Sequence, residues 1–220
     1  MGHVLAFVGY HNSGKTTLIR KVANELRKRG YKIGIIKSTK HDLQPFEKEG
    51  SDTDLYRGEG IEHLAVVTPS TVTAIRPHDD RGLEVLALSL FPDLDLVICE
   101  GFKHAKDIKK IEVARSDIST QLIKESTNGV MAVVSDFDVQ GVRHFSHEEV
   151  PGLCDFIEET FQLRQKKKKD EIALVVNGRK IPLKRFVRDS MKGTICGYVS
   201  SLRFTEGAED IQIFIKMKKN

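Results

Sequence analysis

Residues 9–16 read GYHNSGKT and fit the spacing G-x-x-x-x-G-K-[ST]. Residues of these types at this spacing can hold a chain of phosphates. Successive backbone N–H groups of one loop must all face phosphate oxygens, which requires backbone shapes that glycine adopts without strain, here at Gly9 and Gly14. A helix starting at the loop adds the positive end of its dipole. Lys15 brings a mobile ammonium to the β- and γ-phosphates, and Thr16 offers its hydroxyl to Mg²⁺. Each charge-assisted hydrogen bond contributes about 1.5–3 kcal/mol, so several together outweigh any single contact to a base.

The remaining ligands are expected at the C-terminal ends of strands beside this loop. Glu100 closes the apolar run DLDLVIC and precedes Gly101, a position from which it can hold Mg²⁺ through water or orient an attacking water. Asp95, near the other end of that run, reads as structural. Lys37, His41 and Asp52 lie in or near the loop after the second strand, where they can face the γ-phosphate and metal. His41, His63 and His78 lack the spacing of zinc ligands. Thr39-Lys40-His41-Asp42 matches the [NT]KxD pattern that reads guanine in many GTPases, but it follows the second strand and is taken as coincidence. Strand position makes Ser135 and Asp136 the alternative neighbours of a base.

These residues need a framework. Val4–Val8 reads as the first strand. A helix from the loop to about Arg29 keeps Leu18, Ile19, Val22, Ala23 and Leu26 at helical spacing and stops at Gly30. Lys32–Lys37 follows as a strand parallel to the first. A polar loop over 38–50 leads to a short helix capped by Ser51 or Asp52 and ending near Gly58 or Gly60. Strands are expected at Glu62–Thr68, Thr71–Arg76, Leu94–Cys99, Ile111–Arg115 and Val130–Val134, with helices at Leu83–Phe91 and His147–Lys169. Beyond residue 170 the pattern changes to a strand Glu171–Val176, the turn Asn177-Gly178, a return strand Lys180–Leu183, a helix Phe186–Leu202 and an alternating strand Ile211–Met217. The expected division is therefore a nucleotide-binding domain over 1–164, a basic linker over 165–170 and a small ββαβ module over 171–220.

Composition sets outer limits. A length of 220 residues, 40% hydrophobic and 30% charged, is that of a globular protein with one medium domain and an appendage. No run approaches the ~18 apolar residues of a membrane span, and the apolar start is too short for a secretory signal. Cys99, Cys154 and Cys196 are scattered singly, against a disulfide framework and in keeping with a cytoplasmic protein. A net charge of +4 does not imply nucleic acid, and the run Lys166–Lys169 reads as a solvated helix end.

GYHNSGKTTL, Lys37–His41, GSDTDLYRGEG, DLVICEGFK and KKIEVAR occur in an order and spacing that resemble the MobB family, GTP-binding adaptors of molybdopterin-guanine dinucleotide biosynthesis. The resemblance covers about residues 1–160, and its EGFK and IEV-R elements are more specific than the phosphate loop. It implies an α/β P-loop domain of the SIMIBI type, with a mostly parallel sheet flanked by helices and with homodimer formation. It implies GTP with Mg²⁺, hydrolysed weakly, and a molybdopterin guanylyltransferase as partner, with molybdopterin itself a further candidate. Carried over by position, Gly9, His11, Asn12, Ser13, Gly14, Lys15, Thr16 and Thr17 bind phosphates and metal. Asp52 and Arg57 match the acidic and basic positions of the G-x-D-[ST] segment, Glu100 and Lys103 the EGFK turn, and Arg115 the end of IEV-R. Thr16, Asp52 and Glu100 become the metal ligands, and Asp52 and Glu100 the catalytic carboxylates. Where the family has a pair of histidines after the second strand, only His41 stands here, and residues 170–220 extend past the family core. The competing classes are a P-loop small-molecule kinase, which would need an arginine-bearing lid, and an interaction module with a vestigial loop, which the intact Lys15 and Thr16 oppose.

Overall fold

The structure is a computed structural model that describes residues 2–39, 50–78, 81–164, 172–177, 179–208 and 210–215. Its centre is a six-stranded sheet formed by β1 (His3–Val8), β2 (Ile33–Lys37), β5 (Leu96–Glu100), β6 (Lys109–Val113), β7 (Val130–Val134) and β8 (Arg143–Phe145). The order is β2-β5-β1-β6-β7-β8, and every pairing is parallel. β2 does run parallel to β1, but β5 lies between them. The intervening chain supplies α2 (Asp52–Gly58), the antiparallel hairpin of β3 (Leu64–Val67) and β4 (Val72–Ile75), and α3 (Leu83–Leu90). That hairpin forms its own two-stranded sheet.

Alternation along the strands builds two cores. In β1, Leu5 and Phe7 face α1 (Lys15–Lys28) and α4 (Val150–Phe161), while Val4, Ala6 and Val8 face α3. β5 repeats the pattern with Leu96 and Ile98 on one side and Val97 and Cys99 on the other. α1 buries Leu18, Ile19, Val22, Ala23 and Leu26, the stripe its sequence displays. Burying each such large side chain contributes about 1.5–3 kcal/mol, so this face holds the helix start against the sheet. Asp95 is structural: its Oδ2 accepts from Lys32 N at 2.7 Å, aligning β2 with β5. Burial pushes the thiols of Cys99 and Cys154 up to about 12, as for inert core residues.

Several boundaries differ from expectation. α4 ends at Phe161 rather than running to Lys169, because Gln162 turns left-handed at φ 53°. Leu163 is still buried; the expected basic linker lies outside the described residues. β6 starts two residues earlier than read and ends at Val113. The three-residue β8 and a 3-10 turn at Ile123–Glu125 carry no periodic signal in so short a span. The C-terminal region holds β9 (Leu174–Val176), β10 (Arg179–Ile181) and α5 (Arg185–Ser200). Residues 211–215 are irregular, so the module is ββα among the described residues: the alternating apolar run there has no strand beside it to take its N–H and C=O groups.

None of the buried hydrophobic residues described lies beyond Leu163. A chain ending at Arg164 is therefore expected to fold cooperatively, with a urea midpoint close to that of the full protein. A large fall in the midpoint would show that the tail completes the core.

Candidate functional site

The register of the sheet brings the loop and its partners to one edge. Glu100 pairs with Phe7 on one side and Lys37 on the other, so β5 delivers its terminal carboxylate between the ends of β1 and β2. Gly9 then leaves the sheet at φ 148°, Asn12 adopts φ 62° and Gly14 φ 87°. A Cβ on Gly9 would stand 2.2 Å from the carbonyl oxygen of Val113, so neither the space nor the backbone admits a side chain. Gly14 is the N-cap of α1 and has no side chain to cap it, and no acidic residue occupies the first turn. The orphan N–H groups at this end and the helix dipole favour an anion.

The loop side chains fall into two groups. Ser13 is buried, while His11, Asn12, Thr16 and Thr17 are exposed at the rim. Lys15 Nζ donates to the carbonyl oxygens of Gly9, at 3.1 Å, and Tyr10, and to Ser13 Oγ at 3.4 Å. Burial pushes the Lys15 ammonium below the usual lysine range; Glu100 opposes that shift and Lys37 adds to it. Thr16 Oγ1 donates to Glu100 Oε1 at 2.6 Å, and Lys37 Nζ lies 3.4 Å from the same oxygen. Two hard oxygen donors beside a phosphate loop suit Mg²⁺, which typically takes one or two protein oxygens and completes its shell with phosphates and water.

Lys37, Thr16 and Glu100 are thus together with the loop. Asp52, Arg57 and Lys103 are not joined to it by any hydrogen bond or ion pair among the described residues. Asp52 and Arg57 lie on the exposed α2, which Ser51 caps by accepting from Asp54 N. His41 and most of Thr39–Asp42 lie outside the described residues. Asp136 is occupied: its oxygens accept from Ser116 N at 2.8 Å and Ser116 Oγ at 3.0 Å, donors that hold its carboxyl below the usual range. Arg115 has the opposite fate. Resemblance marked it without a role, yet its guanidinium lies against Gly14.

A parallel sheet whose central strand opens into a glycine loop wrapping a helix start, with an acid on the neighbouring strand end, defines a P-loop NTPase fold. The family described as MobB, molybdopterin guanine dinucleotide synthesis protein B, matches residues 4–136, and this chain belongs to that family. It is 32% identical to the molybdopterin-guanine dinucleotide biosynthesis adapter protein of Escherichia coli (strain K12), over 72% of this chain and 93% of that protein. A candidate adapter of the same name from Methanocaldococcus jannaschii is 27% identical over 98% of both chains. The crystal structure of molybdopterin-guanine biosynthesis protein B (mobB) superposes with a TM-score of 0.54 at 25% identity, over 72% of this chain and 99% of that one.

Gly9→Ala is expected to lower stability by about 2 kcal/mol or more, since backbone strain alone costs about 1–3 kcal/mol and the Val113 carbonyl must also give way. Urea unfolding measures it, and an unchanged midpoint would contradict the geometry.

Proposed function

We propose that this protein is a GTP-binding adaptor in molybdopterin-guanine dinucleotide biosynthesis, with weak Mg²⁺-dependent GTPase activity. The hydrogen bond from Thr16 to Glu100 at the mouth of the phosphate loop carries the reading. It sets the hydroxyl and carboxylate expected of a metal–nucleotide site side by side, 84 residues apart in sequence. Membership of the family and the names of the relatives support the pathway.

In this reading the amides of residues 9–17 wrap the phosphates. Lys15 leaves the loop carbonyls it now binds and moves to the β- and γ-phosphates. Thr16 and Glu100 would hold Mg²⁺, with Asp52 joining them if α2 approaches; the ion neutralises charge on the phosphate oxygens when bound. Lys37, 3.4 Å from Glu100 Oε1, orients that carboxylate, and Arg57 and Lys103 add positive charge around the mouth. Adaptor work follows from the nucleotide site and the exposed α2 beside it in sequence, presented by a cytoplasmic homodimer to a molybdopterin guanylyltransferase. Among the described residues no helix is long and apolar enough to cross a membrane.

Titration calorimetry with Mg²⁺ is expected to give tighter binding of GTP than of ATP. Lys15→Ala is expected to abolish both with a native circular dichroism spectrum. Equal affinity for the two nucleotides would overturn the guanine assignment.

Proton linkage gives a second measurement. The Lys15 pKa is lowered in the free protein, and adjacent phosphate charge raises it. Binding should therefore take up a proton on the alkaline side, and affinity should fall as pH rises through the free-protein value. Calorimetry in buffers of different ionisation heat reads that uptake, and its absence in wild type would remove Lys15 from the phosphates.

A further inference from the structure

We infer that Arg115 is a phosphate ligand of the loop, supplied by this chain from the strand next to β1; the inference rests on the nucleotide reading above. Arg115 follows β6 by two residues. Its guanidinium reaches back over the helix start, where a Cβ on Gly14 would stand 3.1 Å from Nε and 3.4 Å from Nη2. Arg115 Nε is buried without a hydrogen-bond partner, the one such side-chain nitrogen or oxygen among the described residues. A cationic N–H left in that state is costly.

The surroundings make the placement worse without an anion. The guanidinium sits at the positive end of the α1 dipole, on the same loop as Lys15. Three sources of positive charge converge there, no acidic side chain occupies the first turn, and the carboxylate at the loop, Glu100, is already taken by Thr16 and Lys37. An anion seated on the loop relieves all three, and the planar guanidinium fork matches two phosphate oxygens.

The backbone around Arg115 is fixed, so the contact is built in. Ala114 N donates to Val134 O at 2.9 Å, and Ile118 N and Ser119 N donate to Arg115 O at 3.1 and 2.9 Å. Ser116 is clamped by Asp136 through both its N–H and its hydroxyl. His147 Nε2 lies 3.0 Å from Ala114 O. Asp136 thereby holds the backbone next to the arginine.

The test measures binding of inorganic pyrophosphate and of Mg²⁺–GTP by calorimetry, with melting curves for wild type, R115A, R115K and K15A. R115A is expected to weaken both ligands about tenfold or more, the loss of one charge-assisted contact. R115K is expected to recover part of the affinity, because it keeps the charge and lacks the fork. The ligand-free melting temperature of R115A should stay level or rise, since an unpaired buried N–H is removed, while the ligand-induced rise should shrink. Native affinity for both ligands in R115A, or a much lower ligand-free melting temperature with affinity intact, overturns the inference. If K15A loses binding while R115A keeps it, the arginine assignment alone fails. If K15A also binds GTP normally, the nucleotide site itself has been misplaced and both fall.

Discussion

The turn at Gly9 is the constraint on which the site depends. β1 is central in the sheet, with β5 on one side and β6 on the other. Its last residues are therefore fenced by two neighbours, and the chain must leave the sheet beneath the carbonyl of Val113. Only a residue without Cβ makes that exit. Because both flanking strands run parallel to β1, their C-terminal ends open onto the same edge. Glu100 arrives from β5 and Arg115 from beyond β6. The loop is thus gripped by an acid on one flank and a base on the other, and strand register sets the positions of both.

The loop is closed upon itself. Lys15 satisfies loop carbonyls, and Thr16 satisfies Glu100. Both arrangements use the groups that a metal–phosphate would take, so binding exchanges internal bonds for external ones. This lowers the net gain per contact, yet it keeps the lysine and carboxylate from standing unpaired. Arg115 is the exception, because its Nε has nothing to exchange.

What the sequence made legible follows from how local each cause is. The phosphate loop is local: glycine, lysine and threonine act within one turn, so spacing alone identifies them. Glu100 is nearly local, since it ends an apolar run that only a doubly covered strand tolerates. The insertion of β5 between β1 and β2 is not local, and neither is the approach of Arg115 to Gly14, which requires β6 to lie beside β1. Resemblance pointed at Arg115, but the pairing of strands explains it. Lys110 and Glu112 show the same limit. Both are buried in β6; Lys110 donates to the carbonyls of Ala105 and Asn128, and Glu112 accepts from Ile123 N and Lys124 N. Charged residues on a strand read as exposed until the loops that satisfy them are in place. At the C-terminus the failure runs the other way: Ile211–Met217 alternates like a strand, but among the described residues 211–215 are irregular and pair with no strand.

The division of labour along the chain follows from burial. α5 buries none of its residues, and Phe186 and Phe204 are 82% and 95% exposed, while Lys180 makes a single long ion pair with Glu84 at 3.5 Å. An exposed pair of that kind contributes little to stability, so the sheet and its two cores cannot depend on it. The elements whose ends meet around Gly9, namely β1, β5, β6 and α1, all precede residue 114.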